Sequence, residues 1–194
     1  GAMRRGRPCT HLVYGEATAL LAAMALLASA FDLAARNAAA CAEHPGAVHA
    51  VPVLSRAIGA SGLVYGQHLD LRLTGARASL EQIERIHHCK AGVLFLAALE
   101  MPARLLGMPE AQTEALLRFG AGVGLAFQIT DDLLDARDPS EDAGKSTFAT
   151  HLGVEGARAR AQALIDSALE ALEALGPAAE PLRQMAVFVR ARAH

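Results

Sequence analysis

E-A-Q-T-E-A-L-L-R-F-G-A-G-V-G-L-A-F-Q-I-T-D-D-L-L-D-A, residues Glu110 to Ala136, is the stretch whose reading decides the fold. Alanine and leucine dominate it, strand-like runs of valine, isoleucine, threonine and aromatics are absent, and the pattern reads as one long helix. On a 3.6-residue period Gln128, then Asp131 or Asp132, then Asp135 stack along one face while Leu, Ile and Phe fill the others. Three carboxylates in an otherwise apolar helix need compensation, since burying an unpaired ion costs on the order of several kcal/mol. A hard divalent cation with oxygen ligands supplies it. Mg²⁺ commonly takes one or two carboxylates together with waters and phosphate oxygens, so the spacing predicts Mg²⁺ and a phosphorylated substrate together. A plainer account makes the same residues a solvated acidic helix end before a turn at Asp138-Pro139-Ser140. Gly120, Gly122 and Gly124 do not form a dinucleotide loop, because no strand precedes them and position 125 is Leu; glycines in such a helix let another helix or a substrate approach closely.

Working outward, similar alanine- and leucine-rich segments cover Glu16 to Ala40, Val53 to Leu73, Leu80 to Leu99, Val154 to Leu175 and Glu180 to Ala193. Breaks at His44-Pro45-Gly46, Thr74-Gly75, Gly107-Met108-Pro109, Asp138-Pro139 and Gly176-Pro177 separate them, and Ser79 with Gln82 reads as a capping box. The expectation is an all-α helical bundle forming one domain over residues 1–194.

Composition narrows the function classes. The net charge is −2 and no basic arm or aromatic-basic interleaving occurs, which argues against nucleic acid. Cys9, Cys41 and Cys89 lack metal-type spacing and form no disulfide framework, which fits a reducing cytoplasm. Arg4, Arg5 and Arg7 before the apolar run from Ala17 to Ala35 imitate a signal peptide. Glu16 at its border, Asp32 within it and the continuing helical pattern favour a buried helix and no membrane span. Gly1-Ala2-Met3 reads as a cloning scar or fragment edge.

The chain has sixteen arginines but only two lysines, Lys90 and Lys145. A composition that otherwise prefers Arg singles these out as positions where a compact ammonium suits phosphate better than a planar fork. His11 reads as a cap or core residue, and His87-His88 as a helix-surface pair, because adjacent helical residues do not face each other.

Several motifs in order resemble the trans-isoprenyl diphosphate synthases, most closely the bacterial farnesyl diphosphate synthases. Arg4-Arg5-Gly6-Arg7-Pro8, His11 and Tyr14-Gly15-Glu16 look like the family's R-R-G-x-P…H…x-G-E segment; Gly66-Gln67 with Asp70 resembles its G-Q-x-x-D helix. Lys90 stands where the family has K-T, and F-Q-I-T-D-D-L-L-D (Phe127 to Asp135) resembles its second aspartate-rich motif. The resemblance spans roughly Arg4 to Gly153. It implies an isoprenoid-synthase-type bundle around a central substrate cavity, acting as a homodimer. It also implies a reaction in which an allylic diphosphate ionises and the double bond of isopentenyl diphosphate attacks the carbocation, with loss of a proton. By the same resemblance Asp131, Asp132 and Asp135 hold Mg²⁺, and Arg4, Lys90 and Lys145 neutralise the departing diphosphate. Arg5 binds isopentenyl diphosphate, Gln128 orients near the diphosphate, and Gln67, Asp70 and His11 line the site. Farnesyl diphosphate is the expected product.

The chain also departs from the family. The first aspartate-rich motif, which in the family precedes R-R-G, is not in the sequence, and the phosphate-covering loop between Ser140 and Ser146 is shortened. The resemblance thus implies either a partial chain or a non-catalytic subunit of a heteromeric prenyltransferase that has shed its first metal motif. Ala91 replaces the threonine of K-T, and Ala23-Met24 replaces a glycine and an aspartate.

Overall fold

The computed structural model describes residues 2–4, 6–73, 77–135 and 146–192. The helix expected from Glu110 is α7, Glu110–Asp135, and it is the centre of the molecule. Ala115, Phe119, Val123, Ala126, Ile129 and Leu133 recur at helical spacing on it and are all buried. Two hydroxyls share this interior without orphaned donors: Thr113 donates to the Pro109 carbonyl at 3.2 Å and Thr130 to the Ala126 carbonyl at 2.8 Å.

Around it stand α1 (Thr10–Tyr14), α2 (Glu16–Ala40), α3 (Ala50–Ile58), α4 (Leu63–Leu73), α5 (Leu80–His87), α6 (Val93–Leu105), α8 (Phe148–Ala171) and α9 (Glu180–Arg192). Among the described residues the one ladder is a two-residue antiparallel pairing of Met3–Arg4 with Arg7–Pro8. α7 packs against α6, α8, α9 and the π-helical turn His88–Gly92 that joins α5 to α6. The all-α architecture expected from the sequence is therefore present.

The three glycines of α7 serve helix packing. A Cβ at Gly122 would lie 2.9 Å from the Leu164 carbonyl oxygen and 3.0 Å from the Ala168 Cβ, so α7 and α8 meet almost backbone to backbone. Ala157, Ala161, Ile165 and Ala168 form the matching buried face of α8.

Three expectations need correction. The segment from Val53 to Leu73 is two helices, α3 and α4, because Gly59-Ala60-Ser61-Gly62 interrupts it. Two glycines in four residues forfeit about 1 kcal/mol each of helix propensity, and Gly59 adopts an extended ψ of −160°. α8 begins at Phe148 rather than at Val154: Thr147 caps it with Thr150 in a reciprocal box, and Gly153, at φ 71°, kinks the helix where the sequence suggested a start.

The third correction concerns α2. It spans the expected residues but is not a buried helix: Leu20, Leu21, Met24 and Leu26 are each about two-thirds exposed or more, and Ala34 is its one buried residue. Its substantial packing among the described residues is against α1, α3 and the short 3₁₀ turn Pro45–His49, which leaves most of its circumference open. By length and composition α2 and the 45–73 stretch are apolar enough to cross a bilayer, a criterion that core helices of soluble proteins also meet. The Asp32–Arg36 ion pair at 3.0 Å sits on the same exposed helix.

Candidate active site

The capping box at Ser79 forms as expected: the Gln82 amide donates to Ser79 Oγ at 3.2 Å and the Ser79 amide to Gln82 Oε1 at 2.8 Å. It starts α5, which runs into the π turn, and Lys90 lies within that turn. A π turn inserts an extra residue per hydrogen-bonded loop and is frequently met at functional positions. Here α4 comes against it at backbone distance. A Cβ on Gly66 would lie 2.4 Å from the Lys90 amide nitrogen and 2.7 Å from the Cys89 carbonyl carbon, so only glycine permits the approach. One helical turn along α4, Asp70 Oδ2 accepts from Lys90 Nζ at 2.7 Å. Both side chains remain partly solvated, at 39% and 30% exposure, so the pair is held in place yet accessible. Gln67, beside Gly66, is half-buried on the same helix.

Gly66→Ala is therefore expected to lower stability by about 1–3 kcal/mol, the usual penalty for overpacking, and to separate α4 from the Lys90 turn. Urea unfolding of the variant checks the first effect.

Opposite in sequence, α7 supplies Gln128, Asp131, Asp132 and the backbone of Asp135. Gln128 is half-buried. Asp131 Oδ1 accepts from Arg192 Nη2 at 3.1 Å, and the Arg192 guanidinium lies 4.8 Å over the Phe127 ring. A cation thus already faces this carboxylate, supported from below by an aromatic face. Asp132, its neighbour, turns the other way. Its Oδ2 accepts from His87 Nε2 at 3.1 Å and from the Phe148 amide, the first residue of α8, at 3.3 Å. His87 and Asp132 are 12% and 14% exposed, so this is an interior contact.

Two residues with site contacts escaped the sequence reading. His87 is not a surface residue: it follows buried Ile83 and Ile86 at the i, i+3, i+4 spacing of one face, and its ring stacks on Phe148 at 5.6 Å with a 19° tilt. His88 alone is exposed. The spacing from Ile83 is the signal that separates the two histidines. Arg192 follows buried Ala186 and Val189 on α9, but no local pattern pairs it with Asp131, a residue 61 positions away.

The remaining candidates divide. His11 is exposed on α1, whose substantial packing is against α2, and the structure does not join it to the Asp131 group. Arg4 pairs through its backbone with Arg7. Arg5 and Lys145, with the side chains of Arg4 and Asp135, lie outside the described residues.

The donor set of this site suits a hard cation. No group of three or more His, Cys, Asp or Glu side chains capable of holding a metal occurs among the described residues. On the acid face of α7 Asp131 is 35% exposed and Asp132 14%, so among the described carboxylates of that face Asp131 is the more open to a cation that combines one or two carboxylates with water and phosphate oxygens.

A polyprenyl synthetase family model matches residues 1–150. The chain is 38% identical over 189 residues to a geranylgeranyl diphosphate synthase of Pseudescherichia vulneris, covering 94% of this chain and 60% of that protein. It is 34% identical over 204 residues to a farnesyl diphosphate synthase of Haemophilus influenzae, covering 98% of this chain and 68% of that one. Among solved structures, a geranyltransferase from Helicobacter pylori complexed with magnesium and isoprenyl diphosphate superposes with a TM-score of 0.79 at 33% identity, over 98% of this chain and 64% of that chain. The chain belongs to the polyprenyl synthetase family. It spans 54% to 60% of the length of four of the curated relatives it matches.

Proposed function

We propose that this chain carries the diphosphate-ionising wall of a short-chain isoprenyl diphosphate synthase, which joins isopentenyl diphosphate to an allylic diphosphate and yields farnesyl diphosphate. The observation that carries the reading is the Lys90–Asp70 pair. An ammonium is fixed at 2.7 Å from its carboxylate on a backbone contact that tolerates only glycine, in a chain whose relatives include a geranyltransferase complexed with magnesium and isoprenyl diphosphate.

The chemistry follows from charge. When the allylic C–O bond breaks, negative charge builds on the departing diphosphate, and cations preplaced around it lower the barrier without having to reorganise. Lys90 is such a cation, held by Asp70 so that its ammonium does not collapse onto its own backbone. Lys145 and Arg4 would add to it, and Gln128 would donate to a diphosphate oxygen. Mg²⁺ bound at Asp131 and Asp135 would supply Lewis-acid stabilisation of the same leaving group. In the ligand-free protein Arg192 balances Asp131, and a phosphorylated substrate then finds the guanidinium ready to donate to its oxygens. Asp132, engaged by His87 and the start of α8, supports the motif from behind. Gln67 and Asp70 would line the substrate side, and the family resemblance alone assigns Arg5, outside the described residues, and His11, apart from the Asp131 group, to substrate binding.

The apolar face of α2 fits the homodimer expected of such an enzyme. Leu20, Leu21 and Met24 in water would form an aggregation-prone stripe, whereas a second copy would cover it. Sedimentation should show a dimer, and the double variant L21E/M24E should sediment as a monomer; an unchanged dimer would move the interface elsewhere. The three cysteines are free thiols, which supports a reducing cytoplasmic setting. No observation favours a non-catalytic subunit. Mg²⁺-dependent transfer of isopentenyl diphosphate to a geranyl diphosphate primer tests the proposed activity.

A further inference from the structure

The part-buried pair His87–Asp132 has no part in the charge argument above, yet it sits where three elements meet. His87 is the last residue of α5 and precedes the π turn that bears Lys90. Asp132 follows Asp131 on α7. Phe148 opens α8, donates its amide to Asp132 at 3.3 Å and stacks against His87. One carboxylate oxygen therefore joins the Lys90 side of the molecule to the Asp131 side.

The atoms of this junction are arranged for direction and not for bulk. Asp132 Oδ2 receives two donors, the Phe148 amide and the His87 ring, and a carboxylate accepts, so Nε2 is the protonated nitrogen facing it. The imidazole is clamped between that oxygen and the Phe148 ring. Its other nitrogen, Nδ1, is buried with no hydrogen-bond partner among the described residues. Buried polar atoms are nearly always satisfied, and an exception calls for a reason. An apolar pair of similar volume would fill the space without an orphaned nitrogen, but its contacts would not fix the rotation of either helix. Successive residues on a helix differ by about 100° in direction, so holding Asp132 inward sets the direction of Asp131 outward.

We propose that His87 is a positioning residue of the diphosphate site, acting through Asp132 to fix the spacing and rotation of the Asp131 wall against the Lys90 wall. This rests on the reading of Asp131 and Lys90 as the two walls that hold a metal-bound diphosphate. Groups that orient metal ligands from behind typically change metal affinity about 10–100-fold when lost.

The test is calorimetric titration of the full chain with Mg²⁺ and inorganic diphosphate, alongside thermal unfolding. His87→Phe keeps the stack on Phe148 and removes the N–H; it should bind Mg²⁺-diphosphate about 10–100-fold more weakly than the parent chain. His87→Gln, whose side-chain amide can donate from much the same place as Nε2, should recover most of that affinity. Should His87→Phe fail to fold, His87→Leu takes its place with the same expectation. Parent-like affinity in a folded donor-less variant, with only a lowered Tm, would reduce His87 to a packing residue and overturn the inference while leaving the site reading intact. Absence of Mg²⁺-diphosphate binding by the parent chain would instead remove the site reading, and the inference with it.

Discussion

Asp131→Ala is expected to lower Mg²⁺-dependent prenyl transfer by about three orders of magnitude, the upper range for removing one preorganised stabiliser of developing charge. The size follows from the position of the residue. Asp131 is the more accessible carboxylate of the described acid face, while its neighbour Asp132 is turned inward to His87 and the Phe148 amide. Removing it also leaves Arg192 without the partner it meets at 3.1 Å, so the variant gains net positive charge where a cation should bind. Mg²⁺ should then be required at higher concentration as well as supporting less turnover. Steady-state rates across a Mg²⁺ series separate the two effects. Asp131→Asn should behave nearly as badly, since it keeps the shape and loses the charge. Unchanged turnover in either variant would remove Asp131 from the metal site.

Lys90→Ala should lower kcat by about 10²–10³-fold, because it deletes one preplaced cation from a site where negative charge develops. It does a second harm. The Asp70 carboxylate, held at 2.7 Å from Nζ in the intact protein, would lose that ammonium and oppose the incoming diphosphate with a less compensated charge. The double variant K90A/D70N should therefore be faster than K90A alone, a reversal that simple additive damage would not produce. Lys90→Arg should not restore the rate fully, since the planar fork cannot occupy the place of a compact ammonium on a turn packed this tightly against Gly66. Equal rates for K90A and K90A/D70N would show that Asp70 does not face the substrate.

Much of this arrangement is legible in the chain because it is local. The 3.6-residue recurrence of apolar residues from Ala115 to Leu133 gives α7, and Ser79 with Gln82 gives the start of α5. The choice of lysine at position 90 in an arginine-rich chain marks it out as a compact ammonium suited to phosphate, and the close glycine at 66 stands in the G-Q-x-x-D motif, but the Lys90–Asp70 pairing itself is not visible in the sequence. What local pattern does not carry is partnership at a distance. Asp132 meets His87 across 45 positions and Asp131 meets Arg192 across 61, and neither contact leaves a trace in spacing. The interrupted helix at Gly59–Gly62 and the early start of α8 were hidden for the opposite reason, since apolar composition continues through both while backbone geometry changes at a glycine. α2 misled because its composition is that of a core helix. Its exposed leucines show that apolar content specifies burial against something, and not against which surface.

The most direct test of the central claim is incorporation of isopentenyl diphosphate into a geranyl diphosphate primer by the purified protein, with and without Mg²⁺. Farnesyl diphosphate formed only with Mg²⁺, and lost in Asp131→Ala, is the predicted result. A dimeric, folded protein that binds neither diphosphate and forms no product at any Mg²⁺ concentration would contradict it.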